Sequence, residues 1–195
     1  MTSRRLFLTQ AAAGAAALAL PAPALAQVKP AVPAKPAANI LAKQQVTISS
    51  AYQPGEIVVL PRAYFLYYVT APGKALRYGI AVAKPGLGWR GTAEIKRKVE
   101  WPTWRPTDEM IDRDPAHYGK YKGTNERMAG GPGNPLGARA MYLYEGNIDT
   151  YVRIHGTIAP SSIGRAASSG CFRMLNENVI DLYDRVPLGT KVTVL

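Results

Sequence analysis

The single cysteine of this chain, Cys171, follows one of its two histidines, His155, sixteen positions on, in the stretch His-Gly-Thr-Ile-Ala-Pro-Ser-Ser-Ile-Gly-Arg-Ala-Ala-Ser-Ser-Gly-Cys. A thiol becomes a nucleophile when a base takes its proton, and imidazole suits that task near neutral pH. The residues therefore describe acyl transfer, with a thiolate at Cys171 and a general base at His155. Backbone N–H groups around Ser169, Gly170 and Cys171 are the candidates for holding an oxyanion, since glycine lets the main chain approach closely. No acid stands near His155 in sequence, so a backbone carbonyl, that of Gly156, is the candidate for fixing its tautomer. In an extended segment Arg173 shares a side with Cys171, where it can meet a substrate carboxylate or close a structural ion pair. A lone thiol can also be a small buried hydrophobe; the neighbours of Cys171 argue otherwise. One cysteine and two dispersed histidines are poor metal ligands. The turns of Gly130 to Gly137 lack the Gly-Lys-Ser/Thr of a phosphate loop, so neither metal nor cofactor is expected.

Strands have to position these groups. Residues 56–60 and 64–69 are rich in β-branched and aromatic side chains, Ala71-Pro72-Gly73-Lys74 supplies a turn, and 75–83 continues the pattern. Residues 138–144, 150–154 and 191–195 are strand-like again, which puts His155 at a strand end. Between 85 and 137 the periodicity fails, apart from a short strand over 94–101. So long an irregular stretch inside a domain reads as a lid or binding insertion. Its Trp-Pro-x-Trp-x-Pro, with Trp101 and Trp104, makes either a rigid aromatic wall or ordinary packing under a loop. His117, inside that stretch, is expected on a surface loop. One helix follows Cys171, N-capped by Asn176, with Val179, Ile180, Leu182 and Tyr183 on one face, Arg185 at its end and Pro187 as the stop.

The chain of 195 residues has a net charge of +11, which suits a polyanionic neighbourhood as well as a plain basic surface. Paired Arg4 and Arg5, an apolar run to Leu20 and small residues at Ala24-Leu25-Ala26 read as a cleaved export signal over 1–26, and Ser-Arg-Arg-x-Phe-Leu resembles the twin-arginine type. A retained anchor is the rival, but the run is short and broken by Pro21 and Pro23. Residues 27–43, rich in Pro, Ala and Lys, read as an extended linker, and 44–195 as the folded domain. In an exported chain an unpaired cysteine signals a reactive group or an intermolecular bridge.

Ile154-His155-Gly156-Thr157 together with Ser168-Ser169-Gly170-Cys171-Phe172-Arg173-Met174 resembles the active-site motif of the L,D-transpeptidase family, the YkuD-type catalytic domain of bacterial cell-wall enzymes. Asn134-Pro135-Leu136-Gly137, Arg139-Ala140 and the helix ending Leu182 to Val186 resemble that family too. The resemblance implies a mainly β fold, a sandwich or barrel enclosing a cleft, with the long insertion and one helix near the C-terminus. It implies a periplasmic enzyme whose Cys171 attacks a peptidoglycan stem tetrapeptide before its terminal D-alanine, forming a thioester. An amine of another stem, or of an outer-membrane lipoprotein lysine, then resolves it; nucleic acid is not a partner. His155 matches the base and Gly156 its backbone support. Ser168, Asn134, Trp104, Arg139 and Arg173 become candidates for binding substrate. Many relatives have a second histidine where this chain has Ser169, and Phe172 replaces a smaller aliphatic residue. A carboxypeptidase or other thiol hydrolase, a sortase-like enzyme and a noncatalytic wall-binding module are the alternatives.

Overall fold

In the computed structural model, which describes residues 40–195, the β-branched and aromatic runs become β2 (Ile57–Leu60), β3 (Phe65–Ala71) and β4 (Lys74–Gly79), preceded by β1 (Gln44–Thr47) and followed by β5 (Val82–Ala83). Then come β6 (Gly91–Glu100), β7 (Arg139–Glu145), β8 (Ile148–His155), β9 (Ala166–Ser168), β10 (Phe172–Arg173) and β11 (Lys191–Val194). The expected leader and residues 27–39 of the expected linker lie outside the described residues. The last residues of that linker sit against the domain: the Leu41 carbonyl accepts from Asn178, and Lys43 bridges Asp181 at 2.8 Å.

Nine strands form one sheet in the order β1-β4-β3-β2-β11-β6-β7-β8-β10, and β5 with β9 makes a separate parallel pair. The expected sandwich or barrel is not what forms. The C-terminal strand β11 inserts between β2, to which it runs parallel, and β6, to which it runs antiparallel. It thereby joins the N-terminal hairpins to the site-bearing strands in one open sheet, with β1 and β10 at its edges.

The region from 85 to 137 also differs from expectation, because ten of its residues are β6, a central strand. Its run of Glu94, Lys96, Arg97, Lys98 and Glu100 hides the alternation that buries Ala93 and Ile95. Three α-helices replace the one expected. Two of them, α1 (Asp108–Arg113) and α2 (Pro115–Tyr118), are too short to show a helical period, and side chains start them: Thr107 accepts from the Met110 N–H and Asp114 from the His117 N–H.

The third, α3 (Asn176–Arg185), lays Val179 and Leu182 on a core of Ile57, Leu66, Ile95, Met141 and Ile154. Tyr78 donates to Asp181 at 2.6 Å, and Lys98 donates to the carbonyls of Tyr183 and Val186, so a cation closes the helix C-terminus. With α3 held, the strands it covers, β7 and β8, are held as well.

Candidate active site

Two strands at one edge of the sheet assemble the site. β10 runs parallel to β8 with Phe172 opposite Ile154 and Arg173 opposite His155. Phe172 and Ile154 point into the core, so alternation sends His155, Arg173 and Arg153 to the other face, with Cys171 beside Arg153. β8 is irregular just here: Tyr142 pairs with Arg153 but Tyr144 pairs with Asp149, which leaves the residues between them on β8 as a bulge. Tyr151 at its tip is left-handed, with φ of 57°, and 81% exposed. Thr150 Oγ1 donates to the Leu143 carbonyl, and Asp149 accepts from the Tyr151 N–H, locking the bulge. Bulges of this kind re-aim groups beside active sites. This one brings the Tyr151 carbonyl to the thiol, which donates to it across 3.8 Å.

His155 is buried, and its Nδ1 lies 2.6 Å from the Gly156 carbonyl. A carbonyl oxygen only accepts, so Nδ1 carries the proton, and the neutral ring keeps Nε2 as its basic nitrogen. Burial pushes His155 down to about 4; the charges of Arg173 and Arg153 act in the same sense, against the Gly156 and Leu136 carbonyls. Burial pushes the Cys171 thiol up, while the Arg153 backbone contact and the Arg153 and Arg173 charges oppose that rise. At neutral pH the two groups rest as neutral thiol and neutral imidazole, and no hydrogen bond joins them.

The buried imidazole links stability to pH. Between about 6.5 and about 4 the unfolded chain binds a proton at this position and the folded chain does not. Stability is therefore complete above that window and falls on the order of 3 kcal/mol through it as the pH drops. Urea midpoints measured from pH 7 to pH 4 are expected to show this fall in the wild type and a smaller one in His155→Gln. Asp181, held below the usual carboxylate range by Arg185, Lys43 and Tyr78, loses its contribution at lower pH.

Around the thiol the loop is braced from inside. Ser168, buried, donates to the Cys171 carbonyl at 2.6 Å and accepts from the Gly170 N–H at 3.2 Å. The Gly170 amide is thus engaged, whereas the Cys171 N–H has no acceptor among the described residues. Gly170 has φ of 141°, which side-chain-bearing residues rarely adopt. Ser169 is exposed.

Asn176 does not cap α3. Leu175 is the N-cap residue, and the Asn176 Oδ1 instead accepts from the Ala138 N–H at 3.1 Å and the Thr157 N–H at 3.2 Å, tying the start of β7 to the residues after His155. A Cβ on Gly156 would run into Asn176 Oδ1 and crowd the Ala138 nitrogen, and one on Gly137 would meet the same oxygen. Gly156→Ala is expected to destabilise the fold by about 2 kcal/mol or more, checked by its urea midpoint against wild type.

The remaining candidates part company. Asn134 is buried, with Nδ2 donating to Ala129 and Oδ1 accepting from Leu136, so it shapes the loop whose Leu136 carbonyl reaches His155. Arg139 lies on the opposite face of the sheet, over the Tyr183 ring of α3 and paired with Glu100 at 3.2 Å. That is away from the cleft, because the residue facing His155 across β7 is Ala140. Arg173 is half-buried beside His155. Trp104 exchanges backbone hydrogen bonds with Met128, packs edge-on against Tyr118 and Tyr121, and lines a cavity of about 630 Å³ that contains Cys171. His117 is exposed, with Nδ1 2.9 Å from Asp114.

Arg153, Tyr151 and Arg97 escaped sequence reasoning, and Asn176 was read only as a helix cap. Arg153 was detectable, standing two positions before His155 on a strand and hence on its face. Tyr151 acts through its carbonyl, and Asn176 has the side chain of an ordinary cap, so neither carries a local signal. Among the described residues no group of three or more His, Cys, Asp or Glu side chains converges as a metal site would.

The domain is mostly β, its one thiol lines a cavity, and a buried imidazole stands on the same face of the neighbouring strand. The chain belongs to the L,D-transpeptidase family: the family model for the YkuD-type L,D-transpeptidase catalytic domain matches residues 54–194. The "Probable L,D-transpeptidase ErfK/SrfK" of Escherichia coli is 30% identical over 83% of this chain and 50% of its own length. The chain spans about half the length of the curated relatives it matches. A crystal structure from Brucella melitensis, named a probable carnitine operon oxidoreductase, is 60% identical over 79% of this chain and 93% of that one, with a TM-score of 0.54. An L,D-transpeptidase from Mycobacterium smegmatis shares the fold at 19% identity, with a TM-score of 0.51 over 71% of this chain and 57% of its own.

Proposed function

We propose that the chain is an exported peptidoglycan L,D-transpeptidase working in the periplasm, carried there by the twin-arginine-like leader at 1–26, with 44–195 as its catalytic domain. His155 Nε2 takes the thiol proton, and the Cys171 sulfur adds to the carbonyl that precedes the terminal D-alanine of a stem tetrapeptide. The oxyanion is met by the Cys171 N–H, since the Gly170 amide is held by Ser168. The imidazolium returns its proton to the departing D-alanine nitrogen, leaving a thioester. The acceptor amine, from a second stem or a lipoprotein lysine, loses a proton to His155 as it attacks and releases the thiol.

One observation carries this reading: the β8–β10 register that puts the sole thiol and the buried imidazole on one face, beside a cavity walled by the insertion. The neutral resting pair fits an enzyme whose thiolate forms as substrate displaces the Tyr151 contact. The oxidoreductase name of the Brucella protein finds no dithiol counterpart here, because one cysteine cannot cycle through an intramolecular disulfide. The test incubates purified protein with stem tetrapeptide and follows it by mass. D-alanine release with a new cross-link supports the transpeptidase, release with water alone makes it a carboxypeptidase, and no covalent intermediate or release leaves a wall-binding module.

A further inference from the structure

Four residues in one cross-strand row line the cavity. Arg97 on β6 pairs with Tyr142 on β7, Tyr142 pairs with Arg153 on β8, and Cys171 lies beside Arg153. Strands are spaced about 4.8 Å apart, so the backbone of Arg97 stands roughly 14 Å from that of the nucleophile. The Tyr142 ring serves two guanidiniums, with Arg153 Cζ 4.3 Å and Arg97 Cζ 4.7 Å from its centroid. A guanidinium over a ring face keeps its in-plane N–H donors available.

The arginines of this cavity differ in what those donors meet. Arg153 is clamped by Asp149 at 2.6 and 2.8 Å. Arg105 is taken up by the Thr124, Pro106 and Tyr121 carbonyls and by Asp108. Arg97 has neither an ion pair nor a side-chain hydrogen bond with any described residue, and Asp149, the one acid lining the cavity, is engaged by Arg153. Stacking has already oriented the Arg97 fork, so little further ordering is needed when a planar anion arrives. A carboxylate matches that fork in shape and charge.

We propose that Arg97 is a specificity-determining residue that binds a carboxylate of the acyl-donor peptide remote from the bond Cys171 attacks, selecting donors in which that group is a free acid over those in which it is an amide. The inference rests on the peptide-donor reading above and adds to it the charge state of the donor. Arg127, on the wall contributed by the insertion, strengthens the field that draws such a donor in.

The test separates binding from turnover. Cys171→Ala protein is titrated calorimetrically with a stem tetrapeptide carrying free side-branch carboxylates and with the same peptide carrying carboxamides there, the terminal D-alanine carboxylate being present in both. The free acid is expected to bind about tenfold more tightly, and adding Arg97→Gln is expected to remove that preference. Arg97→Lys, which keeps the charge and loses the fork, is expected to retain part of it, and it serves if the glutamine variant does not fold. Equal affinity for the two peptides, a preference that survives in Arg97→Gln, or one that is undiminished in Arg97→Lys, overturns the proposal. Wild-type protein given the same peptides distinguishes the two readings: a binding preference without D-alanine release refutes the reaction and leaves the carboxylate subsite standing.

Discussion

Cys171→Ala is expected to abolish D-alanine release from a stem tetrapeptide, a loss of at least about 10³-fold, and a carbapenem is expected to form a covalent adduct on the wild-type protein but not on this variant. The chain has no other thiol, so one mass measurement before and after incubation settles whether the adduct is on this residue. Loss of activity would not come from unfolding, because the side chain is half-buried and its hydrogen bond is a weak S–H contact to Tyr151. The thermal midpoint of the variant should therefore stay close to that of wild type. Cys171→Ser sharpens the comparison: the hydroxyl fits the same space and can make the same contact, but ionises far less readily than a thiol. Serine protein retaining more than a few per cent of wild-type activity would count against a thiolate mechanism.

The second large effect is at the base. His155→Gln is expected to slow turnover by roughly 10²- to 10⁴-fold, whereas His117→Ala should leave it unchanged, since His117 is exposed on the insertion and faces Asp114. Equal losses in the two variants would remove His155 from the mechanism. The pH profile adds an independent readout. With His155 held down to about 4 the imidazole is already neutral at pH 6, so activity should not fade on mild acidification as it would with an unperturbed histidine. The rise on the alkaline side should follow the thiol, which burial has pushed up. A wild-type profile with its acid limb near 6.5 would show that substrate or movement exposes the ring before catalysis.

The candidate chemistry was readable because it rests on residue types that are rare in this chain. One thiol and a histidine suggest acyl transfer only together with the Ser-Ser-Gly before the thiol, the Phe-Arg after it and the export signal, and strand periodicity placed His155 at the end of β8. The hairpins β2–β3–β4, the strands β7 and β11 and the helix α3 were legible for the same local reason, a clean alternation or a helical face. β6 was only partly legible: Lys98 looks like a solvent-facing charge in sequence, yet its ammonium reaches the C-terminal carbonyls of α3. The two short helices were illegible because four to six residues carry no period.

By itself the sequence pointed to the side chains that could react and to the segments that are strands, whereas the need for glycine at 156 comes from Asn176, which only the fold sets against it. Tertiary structure alone decided that Arg139 turns to α3 while Arg97 and Arg153 share the cavity with Cys171. It also decided that Asn176 clamps Ala138 to Thr157 instead of capping a helix, and that the thiol rests on the Tyr151 carbonyl. The reason is physical: local pattern reports the face a residue occupies on its own strand, but the identity of its neighbours depends on strand order, register and bulges. Those are set by long-range pairing, above all by the insertion of β11 between β2 and β6.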